Sequence, residues 1–95
     1  MNLKVTEEAA KWYKNELELS NDTPLRFYVR YGGVGGLQPG LSLAIKQVDP
    51  AEPVAEDKVE GVYFYIEEDD EWYFDGHSLT VEYDENWQEP EFKYD

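Results

Sequence analysis

The sequence predicts a compact α+β fold that is mostly β, with one N-terminal helix packed on short mixed or antiparallel strands. One segment near the N-terminus repeats its apolar residues with helical spacing, and four later segments alternate with a period of two. Hydrophobic residues make up 41% of the 95 residues and aromatic residues 16%, too many for a disordered acidic chain. We therefore expect one folded domain over residues 1–95.

The first elements are a short strand and the helix. Leu3–Val5 alternates as a strand does, and Thr6 offers a hydroxyl as the N-cap of the helix. Glu7 and Glu8 place negative charge at the positive end of the helix dipole. The helix is expected to end near residues 20–22. The residues predicted on its buried side are Ala9, Ala10, Tyr13 and Leu17, with Trp12 at the edge.

The strands follow the helix. They are predicted at residues 25–31, 41–46, 62–66 and 79–83, and the first of them turns Leu25, Phe27, Val29 and Tyr31 to one side. Residues 49–53 are predicted as a loop, residues 72–74 as one helical turn and Asp75-Gly76 as a tight turn. Residues 86–95 contain Trp87, Phe92 and Tyr94, so this tail should pack at least partly. One helix and four or five strands result.

The formal net charge of −14 is confined to the second half of the chain. Residues 1–48 hold five acids and six bases, whereas residues 49–95 hold 17 acids and two bases. A surface this acidic argues against nucleic acids and anionic membranes as partners. We interpret the acidic half first as a solvated face that keeps the protein soluble. The alternative is a surface for cations or for a basic protein partner.

The composition also limits the chemistry. The absence of cysteine excludes disulfides, thiolate metal sites and sulfur nucleophiles. His77 is the single imidazole, and the sequence places neither a nucleophile nor an orienting group beside it. We therefore predict no catalytic residues and no enzyme. No apolar run reaches the ~18 residues of a membrane span, and residues 1–8 do not resemble a secretion signal, so a cytoplasmic location is expected.

A glycine-rich segment between two predicted strands is the most conspicuous local feature. Residues 32–40 contain five glycines, but Gln38 breaks the dinucleotide-binding spacing and no phosphate-loop lysine follows. Such a segment permits positive φ values and close approach of another group, or it is simply a flexible or bulged hairpin connection. The candidate residues of an interaction loop are Arg30, Gly32, Gly33, Val34, Gly35 and Gly36.

A run of five acids offers the one candidate for a metal site. Its residues are Glu67, Glu68, Asp69, Asp70 and Glu71. Carboxylate oxygens could attract Ca²⁺, Mg²⁺ or Fe²⁺. The run lacks the alternating spacing of a calcium loop, and consecutive side chains diverge. Weak nonspecific cation binding is therefore expected, and no cofactor is predicted beyond iron or another divalent cation as an alternative.

Several of these segments resemble the HesB/IscA-like proteins, the A-type iron–sulfur carriers. The opening Leu-Lys-Val-Thr-Glu-Glu-Ala-Ala is similar to their first strand and helix. The strand that ends at Arg30 and the glycines after it resemble their Gly-Gly-Cys-Ser-Gly loop. The Asp75-Gly76 turn before Leu79 continues the same order of elements, so the resemblance extends from Leu3 to Glu85. It implies a HesB-like domain.

The departures from that family fall on its functional residues. Val34 stands at the position of the loop cysteine and Gly35 at that of the serine, and the C-terminal Cys-x-Cys pair is missing. Cluster iron needs thiolate or imidazole ligands, which Val34 cannot supply. The chain thus resembles the cysteine-free, YneR-like branch. The resemblance implies a fold and an association with iron–sulfur assembly, without cluster ligands.

Three functions remain open. The first is a non-enzymatic HesB-like accessory or interaction module that contacts a protein through the glycine loop and acidic face. Arg26 and Arg30 are contact candidates in this hypothesis, or else partners in cross-strand ion pairs. The second is divalent-metal binding, of iron above all, through carboxylates. The third is an acidic polyanion mimic that binds a basic partner. Whether the chain forms homo-oligomers is left open.

Overall fold

The computed structural model describes residues 1–33 and 36–95, and these confirm an α+β fold that is mostly β. The elements in chain order are β1 (Leu3–Val5), α1 (Glu7–Glu16), β2 (Thr23–Tyr31), β3 (Leu41–Lys46), β4 (Pro53–Val59), β5 (Val62–Glu67), a 3₁₀ turn (Glu68–Asp70), α2 (Glu71–Phe74), β6 (Leu79–Asp84) and β7 (Glu89–Tyr94). No helix within the described ranges has the length and apolar character needed to cross a membrane.

The strands form two mixed sheets. The larger sheet has the order β3-β2-β5-β4, and the smaller has the order β1-β6-β7. β2 pairs with β5, and β1 with β6, in parallel, while the other neighbours are antiparallel. The predicted mixture of parallel and antiparallel strands is confirmed.

The N-terminal helix follows its predicted pattern except at its end. The Thr6 hydroxyl accepts a hydrogen bond from the Ala9 amide at 3.2 Å, which confirms the N-cap. Ala9, Ala10 and Tyr13 are buried as predicted. The prediction for Leu17 is wrong, because α1 already ends at Glu16 and Leu17 is 37% exposed. Glu18 then adopts a φ of 52°, and this turn buries Leu19 instead.

Two predictions about the strands also need correction. Pro53 begins β4 and does not belong to a loop, and β4 itself was not predicted. The sequence of β4 does not alternate between apolar and polar residues as a strand normally does. A register shift lies between Pro53 and Ala55, and three consecutive charged residues follow, Glu56-Asp57-Lys58. The second error is Tyr31, which is 90% exposed. β2 pairs with β5 only as far as Phe27, so at Tyr31 the strand has β3 as its neighbour on one side and, within the described residues, no strand on the other.

An aromatic core joins the two sheets and the helix. The ring of Phe27 on β2 lies with its centroid 6.0 Å from that of Tyr13 on α1 and 5.8 Å from that of Phe64 on β5. Phe92 on β7 packs edge-on against the same ring at 5.8 Å. Phe27 therefore contacts α1 and both sheets. The tail packs as predicted through Phe92 and Tyr94, whereas Trp87 in the β6–β7 turn is 76% exposed.

Candidate functional site

The structure does not bring the acidic run 67–71 together around a common centre. Glu67 is buried at the end of β5, and its carboxylate accepts hydrogen bonds from the amides of Ala51 and Glu52 at 2.8 and 3.0 Å. These contacts fix the loop that leads into β4. Within residues 1–33 and 36–95, no group of three or more His, Cys, Asp or Glu side chains could hold a metal ion.

Asp70 has a second structural role, at the point where β5 has ended. Its carboxylate accepts a hydrogen bond from the Val29 amide at 3.3 Å, so it satisfies a β2 donor that lies beyond the paired part of β5. The same carboxylate pairs with Arg26 at 2.7 Å, and the two side chains are 11% and 18% exposed. Arg26 thus forms the ion pair considered as the alternative to its role as a contact residue. Its Nε has no partner among the described residues.

The remaining acids of the run are exposed, and one of them lies close to another carboxylate. The pKa of Glu68 is raised by a hydrogen bond with Glu52 and by the negative charge of that residue. Glu52, Glu67, Glu68 and Asp69 line an open depression of about 340 Å³. The depression therefore concentrates negative charge at the surface.

We expect Glu52→Gln to raise the Tm at pH 7. Because the folded-state pKa of Glu68 is raised above its unfolded value, the stability that this group contributes is present at low pH and lost as the pH rises through the folded pKa. Removing the Glu52 charge should relieve this loss at pH 7 and have little effect at pH 3. Thermal unfolding followed by circular dichroism at both pH values measures the difference. Glu16→Gln, an exposed acid on α1, is the matched control, and an equal gain at pH 3 and pH 7 would contradict the prediction.

The described part of the glycine loop is anchored on both sides. The Arg30 Nε donates to the Ser42 hydroxyl at 3.1 Å, and that hydroxyl donates to the Gly32 carbonyl at 3.0 Å. Gly32 and Gly33 have φ values of 102° and 80°, in the region that favours glycine. A Cβ on Gly36 would lie 2.0 Å from the carbonyl oxygen of Leu41, so no side chain fits there.

The far side of the loop is tied to α2. The Leu37 amide donates to the Tyr73 hydroxyl at 2.6 Å, and the Gln38 side chain donates to the Tyr73 carbonyl at 2.8 Å. The structure thus brings the predicted residues Arg30, Gly33 and Gly36 to one depression of about 370 Å³. Val34 and Gly35 lie outside the described residues. Contact of this loop with a partner stays a prediction.

Two exposed aromatic residues flank the loop. Tyr31 ends β2 immediately before the loop, and Trp72 on α2 is 54% exposed beside Leu37 and Gln38. Exposed Trp and Tyr are the residue types enriched among the energetically dominant residues of protein interfaces.

The predicted turn at 72–74 is confirmed, and so is the Asp75-Gly76 turn, with φ values of 47° and 81°.

His77 lies next to this surface, in the depression that Trp72 also lines. Its Nδ1 hydrogen-bonds with the backbone carbonyl of Asp95. Ser78 is used elsewhere, since its hydroxyl accepts a hydrogen bond from the Asn2 amide at 3.0 Å. These two residues do not form a nucleophile–base pair.

A groove between β3 and β7 was not predicted from the sequence. It consists of two open depressions of about 370 and 300 Å³ that share Leu43 and Phe92. The second is lined by apolar side chains from α1, β3 and β7, among them Trp12, Ile45 and Pro90. The available signal was the composition of β3, where Leu41-Ser42-Leu43-Ala44-Ile45 contains no charge on either face. An uncharged strand indicates cover on both faces, yet here the edge of β3 that points away from β2 borders the open groove.

Comparison with known proteins places the chain among bacterial relatives. No family model matches it. A Bacillus subtilis protein named pyruvate dehydrogenase inhibitor is 45% identical over 94 residues, which is 99% of each chain. An uncharacterized protein of Staphylococcus haemolyticus is 40% identical over 86 residues, 86% of each chain. Another from Staphylococcus epidermidis is 39% identical over 85 residues, 86% of this chain and 87% of its own.

These relatives correct the predicted family. The resemblance to HesB/IscA-like proteins, including their cysteine-free YneR-like branch, is wrong, because no family model matches and the full-length relative bears a different name. The HesB-like accessory role in iron–sulfur assembly is overturned with it. Neither metal carriage by carboxylates nor polyanion mimicry is indicated by that relative's name. With 45% identity over 99% of both sequences, this chain belongs to the family that includes the Bacillus subtilis pyruvate dehydrogenase inhibitor.

Proposed function

We propose that this chain is a non-catalytic cytoplasmic protein that binds a pyruvate dehydrogenase and inhibits it. The observation that supports this proposal is the 45% identity with the Bacillus subtilis inhibitor over 99% of both sequences. A match of that length leaves no large segment of either protein unaligned. The relative's partner class is therefore the best guide to the partner of this chain.

The surface supports binding to a protein better than binding to a small ligand. The depressions between described residues are open to solvent, with volumes of about 290 to 420 Å³, whereas small-ligand sites enclose most of the ligand surface. Exposed aromatic side chains at Tyr31 and Trp72 offer anchors for a protein interface. The net charge of −14 would steer the chain toward a basic surface of the enzyme.

The experiment is a titration of purified pyruvate dehydrogenase complex, from the organism that encodes the chain, with the folded protein. Pyruvate-dependent formation of NADH is followed, and binding is measured by interferometry. A non-catalytic inhibitor should reduce the rate in proportion to its concentration, reach a plateau at a fixed molar ratio and be reversed by dilution.

Two outcomes would contradict the proposal. An unchanged rate at tenfold molar excess, together with no measurable binding, would exclude inhibition. Inhibition by substoichiometric amounts that grows with incubation time and survives dilution would indicate an enzyme that modifies its target. The heat-unfolded chain is the control, since it has the same composition and charge.

A further inference from the structure

The two sheets have four edge strands, and three of them are protected against pairing with another chain. β1 lies beside β4, and the gap between them is bridged by the Val5 amide, which donates to the Asp57 carboxylate at 2.9 Å. β4 also begins with a proline and a register shift. β7 contains Pro90, which lacks an amide donor, between the exposed Glu89 and Glu91. Proline, charge and irregularity are the usual protections of a sheet edge.

β3 has none of these protections. Its first five residues, Leu41 to Ile45, include no proline and no charged side chain, and its pairing with β2 is regular throughout. Lys46 comes only at its end, where its ammonium lies 4.7 Å from the ring centroid of Tyr28. Among the edges that the structure describes, β3 is the one open to pairing.

The register shows which backbone groups of β3 are free. The Gly32 amide donates to the Gly40 carbonyl at 2.7 Å, so this pair is hydrogen-bonded and the pattern alternates from there along the strands. Leu43 and Ile45 therefore lie in non-hydrogen-bonded pairs, and their amides and carbonyls point away from β2. Val29, opposite Leu43, agrees with this alternation, because its amide points to Asp70 on the β5 side.

The free edge of β3 faces the apolar groove described above. Leu43 and Phe92 lie where its two depressions meet, and Trp12, Ile45 and Pro90 line the second. Glu89 lines the same depression, and Glu91 is exposed on the same strand. The groove thus combines unpaired backbone groups on one side, apolar side chains below and the Glu89 side chain opposite, with Glu91 exposed two residues further along β7.

We propose that β3 is a strand-addition site, at which an extended segment of the inhibited enzyme pairs with the Leu43 and Ile45 edge. Alternate side chains of that segment are apolar and enter the groove, and basic side chains face Glu89 and Glu91. This inference rests on the proposed function. β3 spans six residues, or ~20 Å at about 3.3 Å per residue, so a segment of about that length fits it.

Charge identifies the occupant. A second copy of the chain would bring its own acidic β7 and a further net charge of −14 to the same groove, and like charges repel. A basic segment of the enzyme is attracted by the same carboxylates. The partner is therefore an extended apolar segment with flanking lysine or arginine.

The first test compares two double charge reversals. Glu89→Lys/Glu91→Lys reverses the two exposed acids of β7, of which Glu89 lines the groove. Glu52→Lys/Glu60→Lys makes the same change in net charge at the two ends of β4, on the far side of the larger sheet. We expect the β7 variant to bind the pyruvate dehydrogenase complex about tenfold more weakly, with less salt dependence. The control should lose less than about threefold. Equal losses in the two variants would overturn the groove as the docking site.

The second test is hydrogen exchange of the wild-type chain, free and bound to the complex. Exchange in the peptide 41–46 should slow on binding, whereas exchange in the β4 peptide 53–59 should not change. Unchanged exchange at 41–46 in a chain that still inhibits overturns strand addition and leaves the proposed function intact. Protection of 41–46 that appears without the enzyme, as the chain concentration rises, would assign the edge to a second copy. A chain that neither binds nor inhibits overturns both proposals.

Discussion

Phe27→Ala is expected to lower the free energy of unfolding by about 3–5 kcal/mol. Phe27 is fully buried, and its ring contacts Tyr13, Phe64 and Phe92. Removing it leaves a cavity where α1 and the two sheets meet, and these elements cannot all close on it at once. Native proteins are stable by only ~5–15 kcal/mol, so this variant should lose much of its stability. Urea unfolding followed by circular dichroism measures the change.

Two neighbouring variants serve as controls for Phe27. Phe27→Leu keeps most of the apolar volume and should cost clearly less than Phe27→Ala. Tyr28→Ala changes the next residue on β2, whose ring lies half-buried under Lys46 on the other face of the sheet. It should cost no more than about 1 kcal/mol. A Phe27→Ala loss below about 1 kcal/mol would mean that the two sheets are not joined through this ring.

Asp70→Ala is expected to cost about 3 kcal/mol or more. The substitution leaves the largely buried Arg26 guanidinium without its counter-charge, and its Nε already has no partner among the described residues. The same substitution removes the acceptor of the Val29 amide. An unpaired buried charge and an unpaired buried donor lower the free energy of unfolding by more than the intact ion pair raises it. Equilibrium urea unfolding at pH 7 gives the value.

Two further variants separate these contributions. Asp70→Asn keeps an oxygen for the Val29 amide and removes the charge, so it should cost less than Asp70→Ala. Arg26→Met/Asp70→Ala removes both charges and should recover part of the loss. If the double variant is no more stable than Asp70→Ala, the buried charge of Arg26 is not the cause of the destabilisation.

The elements that local patterns determine were the predictable ones. The Thr6 cap, the buried face of α1 and the alternation of β2 up to Val29 follow from spacing alone. Tyr31 and Leu17 continue their patterns in the sequence but lie past the point where the neighbouring structure ends. Tyr31 is exposed because β5 ends before it, and Leu17 is exposed because the chain turns at Glu18. Neither is visible in a periodic pattern.

The acidic half shows a similar limit. From the sequence alone, three acids of this half are expected to be charges on the surface: Asp57, Glu67 and Asp70. In the structure each accepts a hydrogen bond from a backbone amide that has no strand partner. Their roles depend on residues 15 to 52 positions away, which composition does not reveal. The same holds for the groove, since its walls come from α1, β3 and β7. The glycine loop was predictable because its residues are consecutive.

The incorrect family prediction has a related cause. It depended on the order of short elements around a glycine-rich loop, and such an order indicates a fold at most. Function depends on the residues of a site, and the cysteines that would have supported iron–sulfur chemistry are absent. Full-length identity with a named relative compares every residue, and it is the better guide.

The parallel pairing of β1 with β6 has a consequence for how the chain acquires its structure. Leu3 lies opposite Leu79, and β6 also requires β7 as its other neighbour. The smaller sheet therefore cannot assemble until β6 and β7 have been synthesised, and β6 follows β1 in the chain only after α1, β2 to β5 and α2. Closing so long a loop is slow, and folds dominated by such distant contacts form in about milliseconds to seconds. During synthesis the Leu3–Val5 segment is a nascent strand without its partner.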